Sequence, residues 1–264
     1  SKIQELTVLG INHEQQHQEL FLTDIKYIFG LQPLLPAYNE KASFEKGEAG
    51  EGKWVKVEEG ICEIGYNGSG FSFDNEHGRH KVYLQDYEIR DKLVSNGEYL
   101  EFINDGGYEN PNFWHSDAWT WLLNENVKSP LYWHQTESGW SHYTLSGLKE
   151  IDANAPVTHI SYYEAFAFAQ WAGYRLPTEF EWEAASDLFK WGERWEWTES
   201  AYLPYPGYKK AEGAVGEYNG KFMVNQKVLR GASRATSKGH SRNTYRNFFH
   251  PHLSWQFTGI RLAR

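Results

Sequence analysis

Arg175-Leu-Pro-Thr-Glu179-Phe-Glu-Trp182-Glu183 starts a helix near Thr178, directly after Pro177. Two other short helices are announced upstream of it. Ser95-Asn-Gly-Glu98 precedes Tyr99, Phe102 and Ile103, and Ser161-Tyr-Tyr-Glu164 precedes the run from Ala165 to Trp171. In both, Glu stands three residues after Ser, the spacing at which the two side chains cap each other's backbone amides. Between these helices the chain breaks into short alternating segments, such as Trp54-Val-Lys-Val57 and Lys81-Val-Tyr-Leu84, divided by Gly, Asn and Asp. That alternation is the pattern of short strands. The stretch 199–226 is rich in Tyr, Gly and Pro and has little periodicity. Loops of that length inside a compact domain are usually functional or disordered.

Upstream of residue 54 the pattern differs. Positions 3–29 read as one amphipathic helix, with Leu6, Leu9, Leu20, Ile25 and Ile28 at helical spacing and Gly30 followed by Pro33 as the stop. One helix cannot bury its own apolar face. It is therefore expected to be the last helix of a bundle whose other members lie outside the chain, occupying residues 1–32. Residues 33–53 hold two Pro, several Gly and a charged patch around Glu45 to Glu51, and read as a linker to a domain over 54–264.

Within that helix lies His13-Glu-Gln-Gln-His17-Gln-Glu19. At about 3.6 residues per turn, positions four apart stand one above the other, so His13 and His17 can share one divalent metal. Gln16 lies on nearly the same face. Glu19 points away and is expected to act as support rather than as a ligand. Asp24, two turns further on, lies close to the histidine face. An isolated HxxxH on a polar helix is more often a solvated pair than a ligand pair. A catalytic metal also takes at least three protein ligands.

The chain of 264 residues is 17% aromatic, with 12 Trp, 17 Tyr and 24 Gly, which suggests an irregular, turn-rich domain held together by large rings. No apolar run is long enough to span a membrane, and no secretory leader is evident. The single cysteine, Cys62, fits a reducing, cytoplasmic setting. A net charge of −9 argues against nucleic acid as a general partner. Eight of the 26 Lys and Arg fall in 227–264, where there is no Asp or Glu. That basic end either pairs with an acidic body or presents Arg and Asn groups to a carboxylate-bearing small molecule.

The segment Arg175–Glu183, with Gly192-Glu-Arg-Trp195-Glu-Trp197-Thr198, Val228-Leu-Arg230-Gly231-Ala-Ser233, Tyr245-Arg-Asn247 and Thr258-Gly-Ile-Arg261-Leu-Ala, resembles the formylglycine-generating-enzyme or sulfatase-modifying-factor domain. The resemblance implies an α+β, C-type-lectin-like fold with low regular secondary structure. Formylglycine chemistry needs a pair of cysteines in the C-terminal part, which this sequence lacks. The HxxxHxE helix ahead of such a domain is similar to the last helix of a DinB-like four-helix bundle in the ergothioneine-biosynthesis sulfoxide synthases. Phe71-Ser-Phe-Asp74-Asn-Glu76-His-Gly-Arg79-His80, Ala201-Tyr-Leu-Pro-Tyr205-Pro-Gly and Gly216-Glu-Tyr218-Asn-Gly-Lys-Phe-Met223 also resemble that family.

That resemblance implies a non-haem Fe(II) enzyme with O2 as co-substrate, joining a thiol to the imidazole carbon of hercynine as a sulfoxide. His13 and His17 would be two of three His ligands, the third lying on a bundle helix upstream, without which this chain alone would be inactive. Gln16 would reach hercynine through water. Asn247 and Phe248 would cradle its trimethylammonium and carboxylate groups, a cation–π contact in part. Arg246, like Arg79 and Arg261, could bind a carboxylate, although structural pairing is the commoner role. Tyr205, Tyr208 and Tyr218 are the candidates for a proton-delivering phenol. Family members that use γ-glutamylcysteine carry an Asp and an Arg where this chain has Phe249 and Leu253. This weakens the case for γ-glutamylcysteine without removing it, and leaves the thiol as cysteine or γ-glutamylcysteine. Iron affinity is expected to fall below about pH 6, because imidazole binds metal only when neutral. An ovothiol-type or selenoneine-type synthase and a non-catalytic lectin-like binding module are the alternatives. The pairs His77/His80 and His250/His252 are expected to be structural or surface features.

Overall fold

The computed structural model describes residues 1–42, 51–137 and 139–264. Most of the charged patch in the expected linker, positions 45–50, lies outside the described residues. The first helix, α1, runs over Lys2–Gly30 and opens on a reciprocal cap between Ser1 and Gln4.

The domain that follows is built from short pieces. Strands β1 (Trp54–Val57), β2 (Gly60–Ile64), β3 (His80–Leu84) and β4 (Tyr87–Arg90) form two antiparallel pairs, β1 with β4 and β2 with β3. Helices α2 (Asn96–Asn104) and α3 (Ser116–Glu125) come next. An antiparallel meander follows, of β5 (Trp133–Thr136), β6 (Gly139–Thr144) and β7 (Gly147–Glu150). Helices α4 (Tyr162–Trp171) and α5 (Glu179–Ala185) lead into the central sheet. This consists of β8 (Trp195–Ala201), β9 (Lys227–Gly231), β10 (Asn247–Phe249) and β11 (Thr258–Gly259), in the order β10-β9-β8-β11, with β11 parallel to β8.

Local chemistry explains the helix starts. Ser95 with Glu98, Ser161 with Glu164, and Thr178 with Glu181 each make the reciprocal cap. The third box falls in the stretch Pro177–Glu183, where the amide of Thr178 also bonds the Glu181 carboxylate at 2.7 Å. Aromatic rings fill the core: Tyr99, Phe102, Phe168, Trp182 and Trp197 are all fully buried. Charge is buried among them in pairs. Arg261 bonds Glu196 at 2.6 Å with both side chains fully buried, Arg246 bonds Glu179 at 2.8 Å, and Arg230 pairs with Glu183. Arg242 and Arg264 meet Glu76 and Glu88. The basic C-terminal end is thus consumed largely by internal pairing.

Most apolar positions of α1 face away from the domain, with Ile3 77% exposed, Phe21 61% and Ile28 55%, while Leu9 packs against the core. A polar strip docks instead, comprising Gln16, Glu19, Thr23 and Lys26, spaced three or four residues apart. Asp24 is exposed, like His13 and His17.

A histidine pair at the mouth of an aromatic pocket

The α1 backbone sets His13 and His17 one turn apart, and the pairing is direct: their Nε2 atoms are 3.0 Å apart. The rings meet edge to face at 4.4 Å. Two nitrogens each about 2.1 Å from one ion, at right angles to each other, would be separated by about 3.0 Å. The donor set therefore fits a shared divalent metal. Burial and the neighbouring His17 hold His13 below the ordinary imidazole range, against the pull of Glu14. It is thus neutral, as a ligand must be, at neutral pH. No cluster of three His, Cys, Asp or Glu side chains placed to hold a metal occurs among the described residues.

Behind the pair opens a cavity of about 390 Å³, reached by His13 and Gln16 from α1 and closed by Phe73, Tyr218, Tyr245 and Phe248 from the domain. Glu19 anchors the helix at its edge. Its carboxylate accepts from the Trp195 indole at 2.7 Å, the Ser233 hydroxyl at 2.6 Å and the Thr236 hydroxyl at 2.8 Å. Nearby, His240 Nδ1 lies 3.0 Å from the Gln15 side-chain oxygen. These contacts fix the azimuth of the helix and with it the direction of both imidazoles.

The three candidate phenols separate cleanly. The Tyr218 ring lies against His13 at 4.8 Å, stacks on Phe73 at 5.7 Å, and its hydroxyl donates to Gln16 Oε1. Burial, aided by Asp74, pushes its pKa well up, so the phenol is kept protonated. Tyr205 is buried elsewhere, donating to Glu179 at 3.0 Å beneath the Arg246 guanidinium. Tyr208 donates to Asp74 at 3.2 Å. Neither lines the cavity.

Asn247 and Phe248 do line it. Asn247 Oδ1 accepts from the Phe248 amide at 2.9 Å. Phe248 stacks on Tyr202 at 4.1 Å and faces Phe222 at 5.6 Å, a wall of π-faces suited to an alkylammonium. Arg246 also touches the cavity, but its guanidinium is spent on Glu179 and on the carbonyls of Asn75 and Leu203. It is a structural cation, not a free carboxylate clamp. Arg261, paired with Glu196, and Arg79, paired with Glu63, are likewise engaged. His77 bonds Ser72 and His80 bonds the Gly78 carbonyl, so the second histidine pair does not converge. His250 and His252 stack at 5.9 Å.

Several lining residues had no assigned role in the sequence. Phe73, Phe222 and Tyr245 sit inside quoted motifs, but nothing in their spacing says that they face α1. Trp255 joins them beside Phe249, at 5.5 Å.

A family model for the sulfatase-modifying factor enzyme 1-like domain matches residues 40–194. The chain is 29% identical to a protein named hercynine oxygenase from Mycolicibacterium smegmatis, over 97% of this chain and 70% of that one. It is also 29% identical to its counterpart from Mycobacterium tuberculosis, over 96% and 70%. A formylglycine-generating enzyme from Mus musculus is 29% identical over 54% of this chain and 43% of that one. The likeness to the first two spans the His13–His17 helix as well as the domain, whose α+β, C-type-lectin-like fold is the expected one. The match covers more than half of the sequence, and the chain belongs to the sulfatase-modifying factor enzyme 1-like family.

Proposed function

We propose that this chain carries the active site of a non-haem iron(II), O2-dependent sulfoxide synthase. It would join the thiol of cysteine to the imidazole carbon of hercynine, in an ergothioneine-type biosynthesis. The observation that carries this reading is the 3.0 Å His13–His17 pair opening into an aromatic pocket with a protonated phenol against the first imidazole. His13 and His17 would hold the metal, together with a third nitrogen. Iron(II) held there would supply the redox chemistry that makes O2 reactive toward a thiol.

The chain's own residues do the rest. Phe248, backed by Tyr202 and flanked by Phe222, offers a face to the trimethylammonium. Gln16 stands between the histidines and the pocket interior and can bind substrate through water. Tyr218, whose ring lies against His13 and whose hydroxyl donates to Gln16, would be the phenol that delivers a proton. Of the three candidates, the role falls to Tyr218 because Tyr205 and Tyr208 are tied to carboxylates outside the cavity. Phe249 makes one cavity wall apolar where γ-glutamylcysteine users carry an acid, which favours free cysteine as the thiol. No helix among the described residues is long and apolar enough to cross a membrane.

The test is anaerobic iron(II) titration followed by oxygen uptake with hercynine plus cysteine, with added imidazole to supply a third nitrogen. Iron binding lost in His17→Ala, and uptake that needs both substrates and yields their sulfoxide, is expected. Iron binding unchanged by His17→Ala, or uptake that yields no product joining the two substrates, rejects the reading.

A further inference from the structure

Gln16 does not hang free at the pocket mouth. Its amide is held at both ends, by residues 202 and 229 positions away in the chain. Tyr218 donates to Oε1, and Nε2 donates to the Tyr245 hydroxyl at 2.5 Å. The run Tyr245–Gln16–Tyr218–His13 is therefore continuous: two hydrogen bonds, then a ring contact of 4.8 Å.

Of these four groups, Tyr245 is the fixed one. Its side chain is 5% exposed. Phe73 packs edge-on to its ring at 5.7 Å, with Trp195 at 5.3 Å and His240 at 5.3 Å. The Arg242 guanidinium lies over it at 5.6 Å. Its carbonyl is bonded by the fully buried Arg230 at 2.9 Å, and its amide donates to the Arg242 carbonyl at 3.0 Å. Gln16, by contrast, has three rotatable bonds, and Tyr218 stands in a loop between two short 3-10 turns, Gly213–Glu217 and Gly220–Phe222. Left to itself, the amide has no reason to present its oxygen to Tyr218 rather than to solvent.

We propose that Tyr245 is a positioning residue for the reaction: its hydroxyl takes the NH2 of Gln16 and so aims the amide oxygen at Tyr218, holding that phenol against His13. Tyr245 touches neither metal nor reacting atoms; it acts through Gln16. Without its hydroxyl the Gln16 NH2 faces a ring edge with no acceptor, an arrangement that is unfavourable if the group stays buried. The side chain leaves instead, and Tyr218 loses its partner. The phenol then samples other rotamers, and a misplaced proton donor loses rate out of proportion to the distance moved.

The role of Tyr245 in turnover rests on the sulfoxide synthase reading, but the hydrogen-bond chain does not, so the two can fail separately. The first measurement needs no turnover: tyrosine labelled with 13C at Cζ, observed by NMR in the full chain at one fixed neutral pH. Tyr218→Phe assigns the Tyr218 resonance. Tyr245→Phe keeps the ring and its packing and removes only the hydroxyl. The Tyr218 resonance is expected to move in Tyr245→Phe, by the same amount in Gln16→Leu, and no further in the double variant, because all three break one chain. A Tyr218 resonance unmoved by Tyr245→Phe, with the fold intact by circular dichroism, overturns the proposal. If the chain turns over hercynine and cysteine, Tyr245→Phe lowers kcat about 10- to 100-fold and adds nothing to the loss in Tyr218→Phe. Independent, multiplying losses would also overturn it. Iron(II) binding unchanged by His17→Ala, with the resonance shifts as expected, rejects the synthase reading and leaves the positioning chain standing.

Discussion

Glu19 illustrates how a residue two positions past the histidine pair can matter without being a candidate ligand. Spacing alone turns it away from His13 and His17, and the structure shows where it goes: onto Trp195, Ser233 and Thr236. Glu19→Ala leaves three donors without their acceptor in a partly buried seam, and is expected to lower unfolding stability by about 2–4 kcal/mol in urea titration. His17→Ala removes an exposed side chain whose one partner is His13 Nε2. It should change stability by no more than about 0.5 kcal/mol while abolishing iron(II) binding, so comparing the two variants separates anchoring from ligation. The histidine pair was legible because both partners sit on one helix, where spacing translates directly into direction. The choice of Tyr218 among three tyrosines was not legible. It depends on which part of the 199–226 loop folds back onto α1, and Tyr245 meets Gln16 across 229 positions with no local signal at all.

Among the elements, the helices with a Ser or Thr followed by Glu at the third position were readable, because the cap is a local interaction completed within four residues. Helix α3 has no such box: its N-cap is His115, which makes no side-chain bond to the helix. The β5–β7 meander depends on pairings between strands rather than on alternation within them, and both were missed. The central sheet was implied only through the family resemblance. What holds it includes the Arg261–Glu196 pair, in which the same carboxylate also takes the Trp182 indole. Glu196→Gln keeps the shape and removes the charge, leaving a guanidinium buried without its counterion. The expected loss is about 3–5 kcal/mol of stability. The matching change at the rim, Glu88→Gln against the half-exposed Arg264, should cost less than about 1 kcal/mol. Equal losses at the two sites would show that burial does not govern these pairs.

At the scale of the molecule, the question is how a helix with its apolar face outward stays on the domain. The polar strip ends in an unusual contact: Lys26 Nζ lies 2.7 Å from His159 Nε2, both side chains buried. The rings of Tyr132 and Phe257 lie 4.9 and 5.1 Å from the ammonium position. The other ionisable groups acting here are His142 and Arg194, both basic, with Asp24 felt at Tyr132. Burial first, and Arg194 second, push Lys26 well below its ordinary 10.5. Burial, then Lys26 and Arg194, push His159 well below 6.5. Between each folded value and the ordinary one, the unfolded chain binds a proton that the folded chain refuses, so stability rises with pH across that interval and is lost as pH falls. His159 therefore makes acidification below 6.5 destabilising, and Lys26 extends the same slope toward 10.5, each by up to about 1.4 kcal/mol per pH unit. Lys26→Met fills the same space without an amine to desolvate. It should leave the chain as stable as before or up to about 2 kcal/mol more so, and it should flatten the rise between about pH 7 and pH 9, where the buried tyrosines do not yet titrate. Urea unfolding of both proteins across that range reads the slope directly. An unchanged slope in Lys26→Met would mean that the amine stays charged in place, and that the latch holding α1 to the domain is a cation between two rings rather than a neutral Lys–His bond.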